Sequence, residues 1–385
     1  MGSETSSEAP AALDRPLRIN DYLFRRPSDR KQALHDPPLR SVVRRGPVGR
    51  FATPRRIATM KLLVVLINYR TPEMTLRALG CVLKEFDRIP GDCRVALVEN
   101  DSGDDSADRL RKALAENAWE DRVELIETPY NGGFAYGVNA GARPALASDD
   151  PPEYVYLLNS DAFVDAGAVV KLVQFLDAHP EAGIAGSRIY GDDGAPHETA
   201  FSFHSIAGEF EGALGLGIVS RLLYRWKVAK PCPTETTQVD WLAGASMLIR
   251  SKVLEEVGLF DDEYFLYYEE TDFCLRAARA GWLTWYLPDS GVCHIGSVST
   301  GAKDQTKPRP AFWFHGRRRY FTKNHGAVYR FLTDVAVVIG MTFGKLKATL
   351  TRRNYPRPPR FYRDFVRYNF FTPPSHPCAE KRTDG

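Results

Sequence analysis

The stretch Glu-Tyr-Val-Tyr-Leu-Leu-Asn-Ser-Asp-Ala-Phe-Val-Asp, residues 153–165, decides how the chain is read. Its apolar run, Tyr154 to Leu158, predicts a buried strand. The run stops at Asn159, Ser160 and Asp161, so a carboxylate falls at the carboxyl end of that strand. Ligands of open α/β sheets bind at that edge. An acidic side chain beside a diphosphate suits a hard divalent cation. The plain alternative is a turn, which also favours Asn, Ser and Asp. The neighbouring elements tip the balance toward a ligand site.

Working outward, short apolar runs alternate with helical spacing. Strands are predicted at Lys61–Asn68, Arg94–Val98, Val123–Glu127, Ala182–Ile189, Ser246–Ile249 and Trp282–Leu287. Thr71 before Pro72 opens a helix predicted to run to about Phe86. Further helices are expected over 105–117, from Asp165 to about His179, from Ser251, over Glu269–Ala280 closed by Gly281, and over 328–346. Residues 190–239 show no clean period, with helices expected near 205–227. The alternation predicts a mostly parallel sheet with helices on both faces.

Totals narrow the function. The chain has 385 residues, 44% hydrophobic and 26% charged, as in an ordinary globular protein. Its net charge of +3 conceals an asymmetry. Residues 14–60 carry 12 Lys/Arg against 4 Asp/Glu, residues 61–302 carry 21 against 37, and residues 303–371 carry 16 against 3. Basic arms therefore flank an acidic body, and anionic lipid or diphosphate groups are natural partners. The six cysteines (81, 93, 232, 274, 293, 378) form no Cys-x-x-Cys pair, which argues for a reducing compartment. The longest apolar run in the tail, Val335 to Phe343, is too short to cross a bilayer.

Polar residues recur where successive strands end: Asn68, then Glu99 with Asn100, Asn131 with Gly132 and Gly133, and Asn159 with Asp161. Together they predict one nucleotide pocket, in which Gly133 lets backbone approach the ligand. The glycines of 131–141 are not spaced G-x-G-x-x-G and follow the third strand, so a nicotinamide dehydrogenase is not indicated. Glu269, Glu270 and Asp272 crowd one helix start, where repulsion raises at least one pKa and readies a general base. A solvated acidic first turn has equal standing on this feature alone. His294, among small residues past the last strand, offers a metal or phosphate contact, though a lone His is more often structural.

The ordered set VVLINYR, VENDS, NGGFAYGVN, LLNSD, DWLAGASMLIR, FDDEYFLYYEETDFCLRA and CHIGSVS resembles the family-2 glycosyltransferases, and within them the bacterial rhamnosyltransferase-like branch. The match runs over roughly residues 60–300. The resemblance implies a GT-A fold, a nucleoside-diphosphate sugar donor (dTDP- or UDP-linked), a divalent cation (Mg²⁺ or Mn²⁺) and an inverting single displacement. On the donor side it implies Asn68, Glu99, Asn100, Asn131, Gly133, Asn139, Asn159 and Asp161. Asp161 and His294 would hold the metal and diphosphate, and Asp240, Trp241 and Gly244 would face the acceptor. Glu270 matches the base position, with Glu269 and Asp272 left as alternatives. Asn159 stands where relatives have the first Asp of Asp-x-Asp, and Glu99 and Glu270 each stand where relatives have Asp.

The expected organisation is a basic, irregular extension over 1–59, a GT-A domain over 60–302 with halves at 60–190 and 191–302, a basic aromatic helical tail over 303–371, and a disordered end over 372–385. The expected acceptor is a glycan or polyprenyl-diphosphate-linked glycan, with no nucleic acid. The expected place is the cytoplasm, at the inner membrane face if Arg317-Arg318-Arg319-Tyr320-Phe321 and the helix after it dock on anionic lipid. Two other classes share the pocket. A non-catalytic sugar binder needs no base, and a sugar nucleotidyltransferase needs a Gly-rich basic loop after its first strand, which INYRTPE does not supply.

Overall fold

The computed structural model describes residues 60–296 and 306–373, all within the unit Arg56–Gly385. The expectations for 1–59, for the SVSTG segment and for 374–385 lie outside the described residues.

Nine strands form the main sheet, in the order β3-β2-β1-β4-β10-β6-β11-β5 with β8 paired to β11. They are β1 (Met60–Asn68), β2 (Asp92–Glu99), β3 (Val123–Glu127), β4 (Tyr154–Asn159), β5 (Ala162–Val164), β6 (Ala182–Tyr190), β8 (Thr237–Val239), β10 (Ser246–Arg250) and β11 (Leu283–His294). β7 (Ala200–Phe201) and β9 (Trp241–Leu242) make a separate antiparallel pair. β1 pairs in parallel with β2 on one side and β4 on the other. The chain therefore steps outward through β2 and β3, then returns to the far side of β1. That reversal opens a crevice at the carboxyl ends of β1 and β4, the place where such sheets bind ligands. Asn68 and Asn159 stand at its two lips.

Two apolar layers sandwich the sheet. One contains Leu62, Val64, Leu66, Tyr156 and Leu158, and the other Val65, Val155, Leu157, Met247 and Ile249. Alternate residues of β1 and β4 thus face opposite layers, as the period-two geometry of a strand requires. Helix α1 (Pro72–Leu83) stops short of the predicted Phe86, and a single 3₁₀ turn follows at Phe86–Arg88. The reason lies in Glu85, which is buried and accepts the Gly167 and Val169 amides at 2.8 and 3.2 Å. Its carboxylate thereby caps helix α4 (Ala168–Ala178).

Helix α3 (Phe134–Leu146) supplies the close fit on the other face. Gly137 and Gly141 lie one turn apart over Ile67, and over Val65 and Val98, where a Cβ would meet those side chains. Gly133 is tighter still, with φ +88°, and a Cβ there would run into the Phe265 carbonyl. That carbonyl accepts the Phe134 amide at 2.8 Å. Gly133→Ala is therefore expected to unseat the 265 loop, cost about 1–3 kcal/mol in chemical denaturation and lower donor affinity. An Ala variant as stable as the parent would show the contact to be slack.

The C-terminal region forms α9 (Ala311–His325), α10 (Ala327–Leu350) and α11 (Phe361–Val366). Here the structure corrects the reading of the tail. Arg317 is fully buried and bonded to Glu209 of α5 (Ile206–Leu214) at 2.8 Å and to Asp334 at 2.5 Å. Arg319 and Lys323 pair with Asp261, and Arg318 donates to the Tyr368 and Thr372 carbonyls. The cations of 317–323 thus fasten the helices to the body instead of facing lipid. α10 is also longer than predicted. Its 24 residues are enough, by length and composition, to cross a membrane.

Candidate active site

Strand register brings the distant residues together. β11 runs antiparallel to β5 with His294 opposite Ala162, and the Ile295 amide donates to the Asp161 carbonyl at 3.1 Å. His294 Nε2 consequently lies 3.1 Å from Asp161 Oδ1 and 3.3 Å from Asn159 Nδ2. β10 runs antiparallel to β4 with Ser246 opposite Leu158, so the loop before it abuts the same strand end. The Asn159 amide donates to the Ala245 carbonyl at 3.2 Å, and the neighbouring Gly244 amide donates to Glu270 Oε1 at 3.3 Å. An unbroken line of contacts therefore joins His294 and Asp161 to Glu270.

The acidic trio resolves into three environments. Helix α8 (Glu269–Ala280) follows Tyr267 and Tyr268, both left-handed with φ 74°. Glu270, half-buried, lies at the Gly244 amide, and a Cβ on that glycine would meet both Phe134 and Glu270 Oε1. Burial raises its pKa above the ordinary value. Glu269 is buried, and its Oε2 finds no hydrogen-bond partner among the described residues. Burial and then the charge of Glu270 push its pKa well up. Two neighbouring carboxyls so placed share their titration, and the more buried one keeps its proton longer. Asp272, fully buried, bonds to Arg276, Lys323 and Asn324 at 2.9, 2.8 and 2.7 Å. Its expected catalytic role is corrected: its oxygens are spent tying α8 to α9.

On the donor side the predicted residues divide. Asn131, half-buried, accepts the Gly133 amide at 3.0 Å, and Asn100 donates to Asn131 Oδ1 and the Gly133 carbonyl at 3.2 and 3.1 Å. Glu99 accepts the Ser102 amide at 3.0 Å and the Ser102 hydroxyl. Asn68 is a correction, for it is wholly buried, accepts Thr75 Oγ1 at 2.7 Å and donates to Glu99 and Ser102. Its bonds fasten the end of β1 to the loop after β2 and to α1. Asn139 is a second correction, since its amide joins Phe260 and Asp262 and holds α3 to the 260 loop. Arg70, unremarked in the sequence, donates through Nε to the Ser102 carbonyl at 2.8 Å and locks the first two loops together. Its left-handed φ of 58° carries no signal in the sequence.

Two of the residues expected on the acceptor side are adjacent in the chain and anchored to the same strand segment. Trp241 stacks on Phe201 with centroids 4.1 Å apart and donates from Nε1 to the Ser202 carbonyl at 3.0 Å. Asp240 accepts the Phe203 amide at 2.7 Å. A flat aromatic face beside an exposed carboxylate is suited to a sugar ring.

Sequence comparison gives the family. The model described as Glycosyl transferase family 2 matches residues 63–241, and that described as Glycosyl transferase family group 2 matches residues 154–350. The chain belongs to the family-2 glycosyltransferases, and its fold is α/β. It is 28% identical over 222 residues to the N-acetylglucosaminyl-diphospho-decaprenol L-rhamnosyltransferase of Mycobacterium tuberculosis, covering 55% of this chain and 67% of that one. It is 25% identical over 239 residues to the dTDP-rhamnosyl transferase RfbF of Shigella flexneri, covering 62% and 70%. Among solved structures, the mannosyltransferase PcManGT of Pyrobaculum calidifontis is similar with a TM-score of 0.49 and 15% identity, over 79% of this chain and 80% of that one.

Proposed function

We propose that the protein moves rhamnose, with inversion, from dTDP-rhamnose to a hydroxyl of a lipid-linked glycan during cell-surface polysaccharide synthesis, at the cytoplasmic side of the membrane. The observation that carries the reading is the joining of Asp161 and His294 to Glu270 across Asn159, Ala245 and Gly244. The similarity to a decaprenol-linked L-rhamnosyltransferase and a dTDP-rhamnosyl transferase supports the sugar and the lipid carrier.

Asp161 and His294 suit a divalent cation, because such ions on nucleotide diphosphates need only one or two protein oxygens and take the rest from phosphate. Among the described residues no cluster of three or more His, Cys, Asp or Glu would hold one alone. When bound there, a cation neutralises charge on the departing diphosphate. Asn131 and Gly133 present polar atoms and close backbone to the nucleoside. Glu270 accepts the proton of the acceptor hydroxyl as that oxygen attacks the anomeric carbon, and the Gly244 amide fixes the carboxylate's angle. Glu269, the more buried carboxyl, keeps its proton longer, so Glu270 is the first of the pair to ionise.

The test is a donor screen by thermal shift and turnover, with and without Mn²⁺. The expected result is stabilisation by dTDP-rhamnose that Mn²⁺ deepens, with sugar transfer only when acceptor is supplied. Preference for a UDP-sugar would overturn the rhamnose assignment and leave the transferase intact.

A further inference from the structure

We infer that α10 lies flat on an anionic membrane surface, its outward face forming the lipid contact. The helix reverses the usual pattern of a surface helix, whose polar side faces water. Its inward side, Thr333, Asp334, Val337, Gly340, Gly344 and Ala348, is buried at steps of three and four. The opposite side repeats at the same steps with Val328, Leu332, Ile339, Phe343, Leu346 and Leu350, each 43–75% exposed. No charged side chain interrupts that outward row from Val328 to Leu350. At 24 residues it is about 36 Å long.

The helix does not leave the body to cross a bilayer in this packing. Asp334 is held by Arg317 and Arg330, and added Cβ atoms at Gly340 and Gly344 would meet the Phe210 and Leu214 carbonyls of α5. One side is committed to protein and the other to something apolar, which is the arrangement of an interfacial helix.

Charge identifies the occupant. Residues 345–367 carry eight Lys/Arg, from Lys345 to Arg367, against the single acid Asp364, which is buried. Arg352, Arg353, Arg360 and Arg367 are exposed just past the apolar row. Next to it, where Lys347 reaches the Gly215 carbonyl, α6 (Gly217–Leu222) adds exposed Ile218 and Leu222 beside Arg221. A second copy of the chain would bring the same cations and no exposed acid from this segment. Anionic phospholipid supplies both the apolar depth and the opposite charge. This surface deepens the reading of a lipid-linked acceptor, but vesicle binding is measured without turnover, so each can fail separately.

The experiment is co-sedimentation of the full chain with phosphatidylcholine vesicles, with and without phosphatidylglycerol. The expected result is binding that needs phosphatidylglycerol and weakens with salt. Phe343→Ser with Leu346→Ser and Leu350→Ser should lower it more than about 100-fold, and Arg352→Ala with Arg353→Ala roughly 30-fold. Circular dichroism and the melting temperature should not move, because these side chains are exposed. Parent protein that stays in the supernatant, or a triple variant that binds as well, overturns the inference. So does a parent dimer that the triple variant splits without any vesicle binding.

Discussion

Glu270→Gln is expected to lower kcat by roughly 10²–10⁴-fold while donor affinity stays near the parent value. The substitution keeps an oxygen for the Gly244 amide, so the loop that carries Asn159 is undisturbed. It removes only the capacity to take a proton. Asp272→Asn is the contrasting control. It breaks the bonds to Arg276 and Lys323 and should cost stability with a smaller effect on kcat per folded molecule. The pH profile follows with a definite sign. A base must be ionised to work, and burial raises the Glu270 pKa, so the acid limb of kcat/KM should lie above the ordinary glutamate range. Near-parent turnover by Glu270→Gln with intact donor binding would remove the assignment.

Arg317→Met should have the largest effect on stability, about 3–5 kcal/mol, because it takes the buried guanidinium from two carboxylates and leaves Asp334 only Arg330 and Glu209 only His204. Glu209 and Asp334 both point at the guanidinium, which also packs over the rings of Phe321 and Phe365. Burial by itself would raise the Glu209 pKa, but Arg317 and His204 outweigh it and hold the group at about 2. A carboxylate depressed on folding contributes stability above its unfolded pKa, near 4.5, and loses that contribution as pH falls toward about 2. Urea denaturation across that range should show the parent weakening on acidification, and Arg317→Met should flatten the slope. An unchanged midpoint for the variant would mean that the ion pairs are not what clamps the helices.

The sheet was legible because its strands are short, apolar and punctuated by Asn, Asp and Gly, signals that act within a few residues. The strand ends were legible too, since Asn68, Glu99 and Asn159 close β1, β2 and β4. What could not be read depends on long-range pairing. Asp161 and His294 meet only through the β5–β11 register, across 133 positions of chain. The order within Glu269, Glu270 and Asp272 was hidden for another reason. Residues two apart on a helix point to opposite sides, so one faces the cleft and the other α9, and composition does not say which. In the Arg317-Arg318-Arg319 run, a fully buried cation and a half-buried one are written with the same letter. Asn139 misled similarly, for an amide that pins two loops is as polar as one that binds a ligand.

The two left-handed tyrosines stand between the helical extension and the carboxylates. Trp313 and Tyr320 pack on Tyr268 with centroids 6.0 and 5.8 Å away, and Gly316 sits so near the Tyr267 carbonyl that a methyl there would come within 2.8 Å. The backbone bend that presents Glu269 and Glu270 is thus braced from outside the sheet. Trimming the protein back to its α/β part would keep every residue of the cleft and yet release the bend that aims two of them. The last helices are in that sense a splint for the chemistry, not a detachable handle.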